Sequence, residues 1–142
     1  MITGRASIFR ILRNNLFLRL IQCVDIVNRS GKFPPISFQE RNLIYELSKY
    51  WVKGVNISVM NAINNFSEMK SGTSTKYLRS LRKKGYLLLI HDEFDGRIKY
   101  IKPSNLLISY FNFHSEIIKT DLSKNFKVLV YAKKTSSKDL TL

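Results

Sequence analysis

The stretch from Gly72 to Lys102 constrains the fold of this chain more than any other. Its first part, Thr73 to Lys84, has helical spacing. Ser74, Tyr77, Leu78 and Leu81 share one side; Thr73, Thr75, Lys76, Arg79 and Lys83 share the other. With 3.6 residues per turn, the first set must pack inward. The second set is small, hydroxylated or cationic, which suits a helix lying against a phosphate backbone and base edges. Gly85 stands just past the helix end, where a left-handed conformation carries no penalty without a Cβ. The apolar run Gly85-Tyr86-Leu87-Leu88-Leu89-Ile90 has strand length, and His91 to Gly96 makes an acidic turn. Arg97 to Lys102 alternates charged and apolar residues at period two, as a half-buried strand does. Asp95-Gly96 between the two runs is a hairpin signal. The unit reads as a recognition helix over 73–84 followed by a β-wing over 86–102.

Upstream, Ile8, Leu12, Leu16, Leu20, Val24 and Val27 recur at spacings of four or three, with Phe9, Phe17 and Ile21 widening the stripe. This predicts one helix from Ser7 to about Asn28, about 30 Å long at about 1.5 Å per residue. So wide an apolar face must lie on the domain's own core, on a second copy, or on both, and suggests dimerisation. Gly31 and the pair Pro34-Pro35 break it. Ser37-Phe-Gln-Glu40 is a capping-box pattern opening a helix from Phe38 to about Val52, with Leu43, Ile44, Leu47 and Trp51 inward and Gly54 at its end. A short helix over about 58–66 turns Val59, Ile63 and Phe66 inward, and Met69-Lys-Ser-Gly72 joins it to the recognition helix. Two short helices with such a corner are a helix-turn-helix pattern. Beyond the wing, Pro103 breaks the strand and Ser104 can cap a strongly apolar helix over about 105–119. Phe126 to Tyr131 fits a short strand or a helix tail, and Lys133 to Leu142 is a polar, fraying end.

Charge narrows the class of partner. The 142 residues hold 24 Lys and Arg against 10 Asp and Glu, a formal net charge of +14. Such an excess makes a compact fold repel itself and points to a polyanion. Between Lys70 and Lys102 the only acids, Asp92, Glu93 and Asp95, all sit in the turn. The length suits one domain, with 1–32 as a dimerisation helix, 37–102 as core and 103–142 as a final helix and tail. The single cysteine, Cys23, excludes an internal disulfide framework, and with only His91 and His114 no metal constellation has plausible spacing. No cofactor is implied. No Ser-His-Asp spacing or glycine-rich phosphate loop supports an enzyme, so function rests on binding. The basic, acid-poor start is like a targeting peptide, but the helical pattern runs past any cleavage point. Arg13, Arg19, Gln22 and Asp25 break the longest apolar stretches near the N-terminus, so no segment is expected to span a membrane.

Three runs carry a family resemblance: Thr73-Ser-Thr-Lys-Tyr-Leu-Arg-Ser-Leu-Arg-Lys-Lys-Gly-Tyr-Leu, then Asp92-Glu-Phe-Asp-Gly-Arg97, then Lys102-Pro-Ser104. Together with the order of elements, they resemble the MarR-type winged helix-turn-helix regulators, over roughly Phe38 to Tyr110. The resemblance implies a mainly α fold with a small β-wing and long N- and C-terminal dimerisation helices. It implies a homodimer on pseudo-palindromic double-stranded DNA, the recognition helix in the major groove and the wing at the minor groove. The family's groove-contacting positions fall on Thr73, Thr75, Lys76 and Arg79, and its wing arginine on Arg97. Ser74, in the same Ser/Thr-rich helix start, and the cations Lys83 and Lys99 complete the candidate DNA-binding set. Gly96 stands beside the wing arginine where a second basic residue is common, and the Met69–Gly72 linker is longer than usual. Many members respond to small phenolic effectors, but nothing in the sequence identifies a pocket for one. Some carry a reactive first-helix cysteine; Cys23 is more simply a small buried hydrophobe. The expected location is the cytoplasm, on the nucleoid when DNA is bound. Two other classes fit the same charge: an RNA- or replication-associated winged-helix module, and a membrane-surface protein anchored by its first helix.

Overall fold

The computed structural model describes residues 5–66 and 71–125. The expectations for Phe126–Tyr131 and Lys133–Leu142, and the Met69-Lys70 part of the linker, lie outside the described residues. The elements run α1 (Arg5–Arg13), α2 (Leu16–Arg29), α3 (Phe38–Val52), α4 (Val59–Asn65), α5 (Ser71–Lys83), β1 (Leu87–His91), β2 (Lys99–Pro103) and α6 (Asn105–Asn125). This is a mainly α chain with one two-stranded antiparallel sheet, the winged helix-turn-helix order.

The chain divides into two compact units. One comprises Pro34–Tyr110; the other joins the residues up to Phe33 with those from Phe111 on.

In the Pro34–Tyr110 unit, local chemistry sets each helix boundary. The Ser37 hydroxyl accepts from the Glu40 amide at 3.2 Å and the Glu40 carboxylate accepts from the Ser37 amide at 3.0 Å, so both halves of the capping box form. Ser58 caps α4 through the Asn61 amide, and Ser104 caps α6 through the Leu107 amide. Gly85 has φ +88°, which an L side chain reaches only with strain, and it closes α5. Leu43, Ile44, Leu47, Ile57, Leu81, Ile101 and Leu107 are buried to within 2% of complete exclusion. Tyr86 is buried as well, edge-on to Tyr110 at 5.9 Å, and its hydroxyl donates to the Pro34 carbonyl. Burial pushes its phenol up to about 12, with Tyr110 and Glu40 adding to the shift.

The strands of the wing pair with each other, and two hydrogen bonds fasten the second strand to the rest of the unit. Leu87 to His91 pair with Pro103 to Lys99 in antiparallel register. The Ile101 amide donates to the Ile57 carbonyl at 2.9 Å, and the Trp51 indole donates to the Ile101 carbonyl at 3.0 Å. Pro103 ends the ladder instead of lying beyond it, where its missing N–H does no harm.

The other unit departs from the sequence-based expectation. The expected single helix over 7–28 is two helices, broken at Asn14-Asn15. Asn15 leaves helical geometry (φ −72°, ψ 121°), and its side-chain oxygen accepts from the Leu18 amide at 3.0 Å. An asparagine that caps a new helix offers its backbone an alternative to continuing the old one. Apolar periodicity, blind to this competition, runs straight through it. Arg19 pairs with Asp121, Nε to Oδ2 at 3.1 Å, and Lys32 lies over the Phe113 ring at 4.2 Å. Cys23 is 2% exposed, and burial, followed by the Asp121 charge, holds its thiol above the ordinary value. It is the small packing residue expected. The helix α6 runs to Asn125, past the expected end near 119.

Candidate nucleic-acid interface

The candidate surface is built on α5. Leu81 is fully buried, Tyr77 and Leu78 are half-buried, and these residues hold the helix against α3 and α4. Lys76, Arg79, Arg82 and Lys83 are exposed, and among the described residues none of them forms an ion pair. Thr73 and Thr75 are half-buried at the edge of this face. The expected split of the helix into a packed side and a cationic side is therefore what the fold contains.

Ser74 is the exception within the candidate set. It is wholly excluded from solvent, and its hydroxyl has no hydrogen-bond partner among the described residues. A side chain in that position cannot reach an outside ligand without moving the helix, so Ser74 leaves the set of surface candidates. The helical spacing already placed it with Tyr77, Leu78 and Leu81; the Ser/Thr-rich start carried it into the set.

Arg82 was missed. With Thr75 and Arg79 it stands at i, i+4 and i+7, and these three line one cleft between α4, α5 and β1 together with Val59, Ile63 and Leu87. The spacing alone would have found it.

The wing positions Arg97 and Lys99. Arg97 lies in the turn rather than at the start of the second strand, which begins at Lys99. Its guanidinium grips Asp95 with Nε at 3.1 Å from Oδ1 and Nη2 at 3.2 Å from Oδ2, a two-point pairing that leaves the arginine side chain 92% exposed. The arginine side chain, followed by its backbone amide, holds the Asp95 carboxyl below its ordinary value. Asp92 organises the rest of the loop. One oxygen accepts from the Phe94 and Asp95 amides at 2.8 and 3.0 Å, and the other from the Tyr100 hydroxyl at 2.8 Å. The acids of the turn thus shape the loop and aim Arg97. Arg97 and Lys99 border a second concavity with Ser58, Asn61 and Tyr100, between the start of α4 and the wing.

The remaining cations divide by partner. Lys84 is tied to Glu40 and to the Pro35 carbonyl, both at 2.7 Å, and Lys102 to Asn56. Among the described residues no three or more His, Cys, Asp or Glu side chains cluster to hold a metal, and no helix is long and apolar enough to cross a membrane.

No family profile and no curated protein matches the sequence. Solved structures do match the fold. Transcriptional regulator Tm0710 from Thermotoga maritima is 19% identical, covers 94% of each chain and gives a TM-score of 0.58. A mutant of MepR from a multidrug-resistant clinical isolate of S. aureus is 15% identical over 100% of both chains, with a TM-score of 0.55. MepR of S. aureus in complex with DNA is 17% identical, covers 96% of this chain and 97% of that one, and gives 0.52. The fold is the winged helix-turn-helix architecture that the MarR-type resemblance implied.

Proposed function

We propose that this chain is a sequence-specific double-stranded DNA-binding transcription regulator of the MarR type, acting as a homodimer in the cytoplasm. The observation that carries the proposal is the face of α5. Lys76, Arg79, Arg82 and Lys83 stand exposed on a helix held from behind by Leu81, with Arg97 presented on the wing that follows. Cations on a packed helix, with no carboxylate partner among the described residues, are what a polyanionic duplex requires. In a helix-turn-helix protein the second helix enters the major groove, which places Thr75, Arg79 and Arg82 over base edges and Lys76 and Lys83 toward phosphates. Arg97 then reaches the neighbouring minor groove, a narrower and more negative place that attracts guanidinium. MepR, whose fold this chain shares, has been solved on DNA.

The homodimer rests on the first two helices. Ile8, Phe9, Leu12, Leu16, Phe17 and Ile21 are each 44% exposed or more. So many large apolar side chains on two successive helices seldom face water in a monomer, and a second copy covers them by symmetry. In this reading the two units serve one regulator, one for pairing copies and the other for DNA.

Selection of bound duplexes from a random pool tests the proposal. Recovery of an inverted repeat with half-sites one turn apart, roughly 34 Å, supports both the DNA reading and the dimer. No enrichment, or displacement by structured RNA at equal concentration and salt, overturns it in favour of an RNA-binding module.

A further inference from the structure

Glu40 is the only charged side chain that is buried among the described residues. Its capping role requires one oxygen, yet both are used, and two of its three partners lie forty or more residues away, at the end of α5. Oε1 accepts from the Ser37 amide at 3.0 Å and from Lys84 Nζ at 2.7 Å; Oε2 accepts from the Ser80 hydroxyl at 3.1 Å. The same Lys84 ammonium also donates to the Pro35 carbonyl at 2.7 Å. Burial by itself raises a carboxyl, but the hydrogen bonds from Lys84, Ser37 and Ser80 outweigh it and hold Glu40 below its ordinary value. It is therefore an anion at neutral pH, enclosed at the point where the first turn of α3 meets the end of α5.

Resting on the function proposed above, we infer that Glu40 is a positioning residue for the recognition helix. Ser80 and Lys84 are four residues apart, so they lie on one side of the helix and both point at the same carboxylate. Leu81 packs between them in sequence, but apolar packing is non-directional and tolerates small rotations. Hydrogen bonds to a fixed anion are directional. Two of them, one turn apart, set the rotation of α5 about its axis. Arg79 and Lys83 are the sequence neighbours of Ser80 and Lys84, so the same rotation decides where their side chains meet a duplex. The capping box fixes the carboxylate in turn, because Glu40 is held by Ser37 from the α3 side. Lys84 is by this inference a structural partner rather than a phosphate contact.

Glu40→Gln separates capping from positioning. An amide keeps an acceptor for the Ser37 N–H but loses the charge that holds Lys84. The variant is expected to fold and melt cooperatively. Affinity for the selected duplex should fall about tenfold, the scale of one misplaced base contact, while affinity for random duplex changes less than about twofold. Lys84→Met should repeat that pattern, leave the salt dependence of binding unchanged, and add nothing to Glu40→Gln in the double variant. Lys84→Arg, which can still reach the carboxylate, should restore discrimination. The inference is overturned if Glu40→Gln leaves discrimination intact, or weakens both duplexes equally. It is also overturned if Lys84→Met lowers the salt slope by about one, since Lys84 then touches phosphate. Should Glu40→Gln fail to fold, Lys84→Met with Ser80→Ala decides the matter by the same ratio. Wild-type protein that selects no duplex overturns the parent reading and this inference together; a selective wild type with unaltered variants overturns this inference alone.

Discussion

Trp51 Nε1 donates to the carbonyl of Ile101 at 3.0 Å, joining the last turn of α3 to the inner strand of the wing. Residues fifty positions apart are thereby made neighbours. The Ile101 amide donates in turn to Ile57, so the peptide units on both sides of this one residue are committed to the core. A two-stranded ribbon is marginal in water by itself; here the ribbon is fastened to the helix that also carries the core leucines.

Replacing the indole with a ring that lacks the donor should show its worth. Trp51→Phe is expected to lower stability by about 1–2 kcal/mol, combining a lost hydrogen bond with a partly unfilled site. Urea denaturation measures the loss. Amide exchange should quicken in β2 before it does in α3, because the fastening serves the wing. Uniform quickening would show that Trp51 acts only through packing.

Arg79 stands mid-helix on the exposed face, without an ion-pair partner among the described residues. Arg79→Ala should weaken binding to a selected duplex by about 1–3 kcal/mol and relax preference at one base position. Lys76→Ala should instead weaken specific and random duplexes alike and reduce the salt slope by about one. Fluorescence anisotropy titrations at several salt concentrations read both effects. Equal loss on both duplexes for Arg79→Ala would assign that arginine to phosphate.

Ser74 offers the converse case. Its hydroxyl is enclosed and has no partner among the described residues, and an unsatisfied buried polar group is a burden on stability of about 1–3 kcal/mol. Ser74→Ala removes the oxygen and little volume, so stability should hold or rise by up to about 1 kcal/mol. DNA affinity should not change. A marked loss of affinity with stability intact would return Ser74 to the contact set.

Acid should loosen the chain partly through Glu40. Its carboxyl is held below the ordinary value in the folded state, so the folded form binds that proton less readily than the unfolded form. The stability it contributes is complete above the unfolded glutamate pKa, about 4.3, and is lost as pH falls through the lower, folded value. Asp92 and Asp95 are shifted down as well, by Tyr100 and Arg97 first, and act in the same direction. Urea midpoints taken between about pH 5 and pH 3 should therefore fall more steeply for wild type than for Glu40→Gln. Parallel slopes would show that the other carboxylates carry the whole effect.

Local chemistry made much of this protein legible before any coordinates. The Ser37–Glu40 capping box, the Ser104 cap and the left-handed Gly85 each depend on residues within one helical turn. The division of α5 into a packed and a cationic side follows from a period of 3.6, and the same period holds Arg82, read past in favour of Lys83. The break at Asn14-Asn15 was written locally too, but as a cap competing with continuation, which apolar spacing does not weigh.

Composition and periodicity alone determined that the chain is basic, mainly helical and equipped with a wing. Only tertiary structure decided that Glu40 meets Ser80 and Lys84, that Trp51 meets Ile101, and that Ser74 is sealed from solvent. Turns and caps are settled by neighbours a few bonds away, whereas which distant groups meet is settled by how whole faces pack, and no short window of sequence contains both partners.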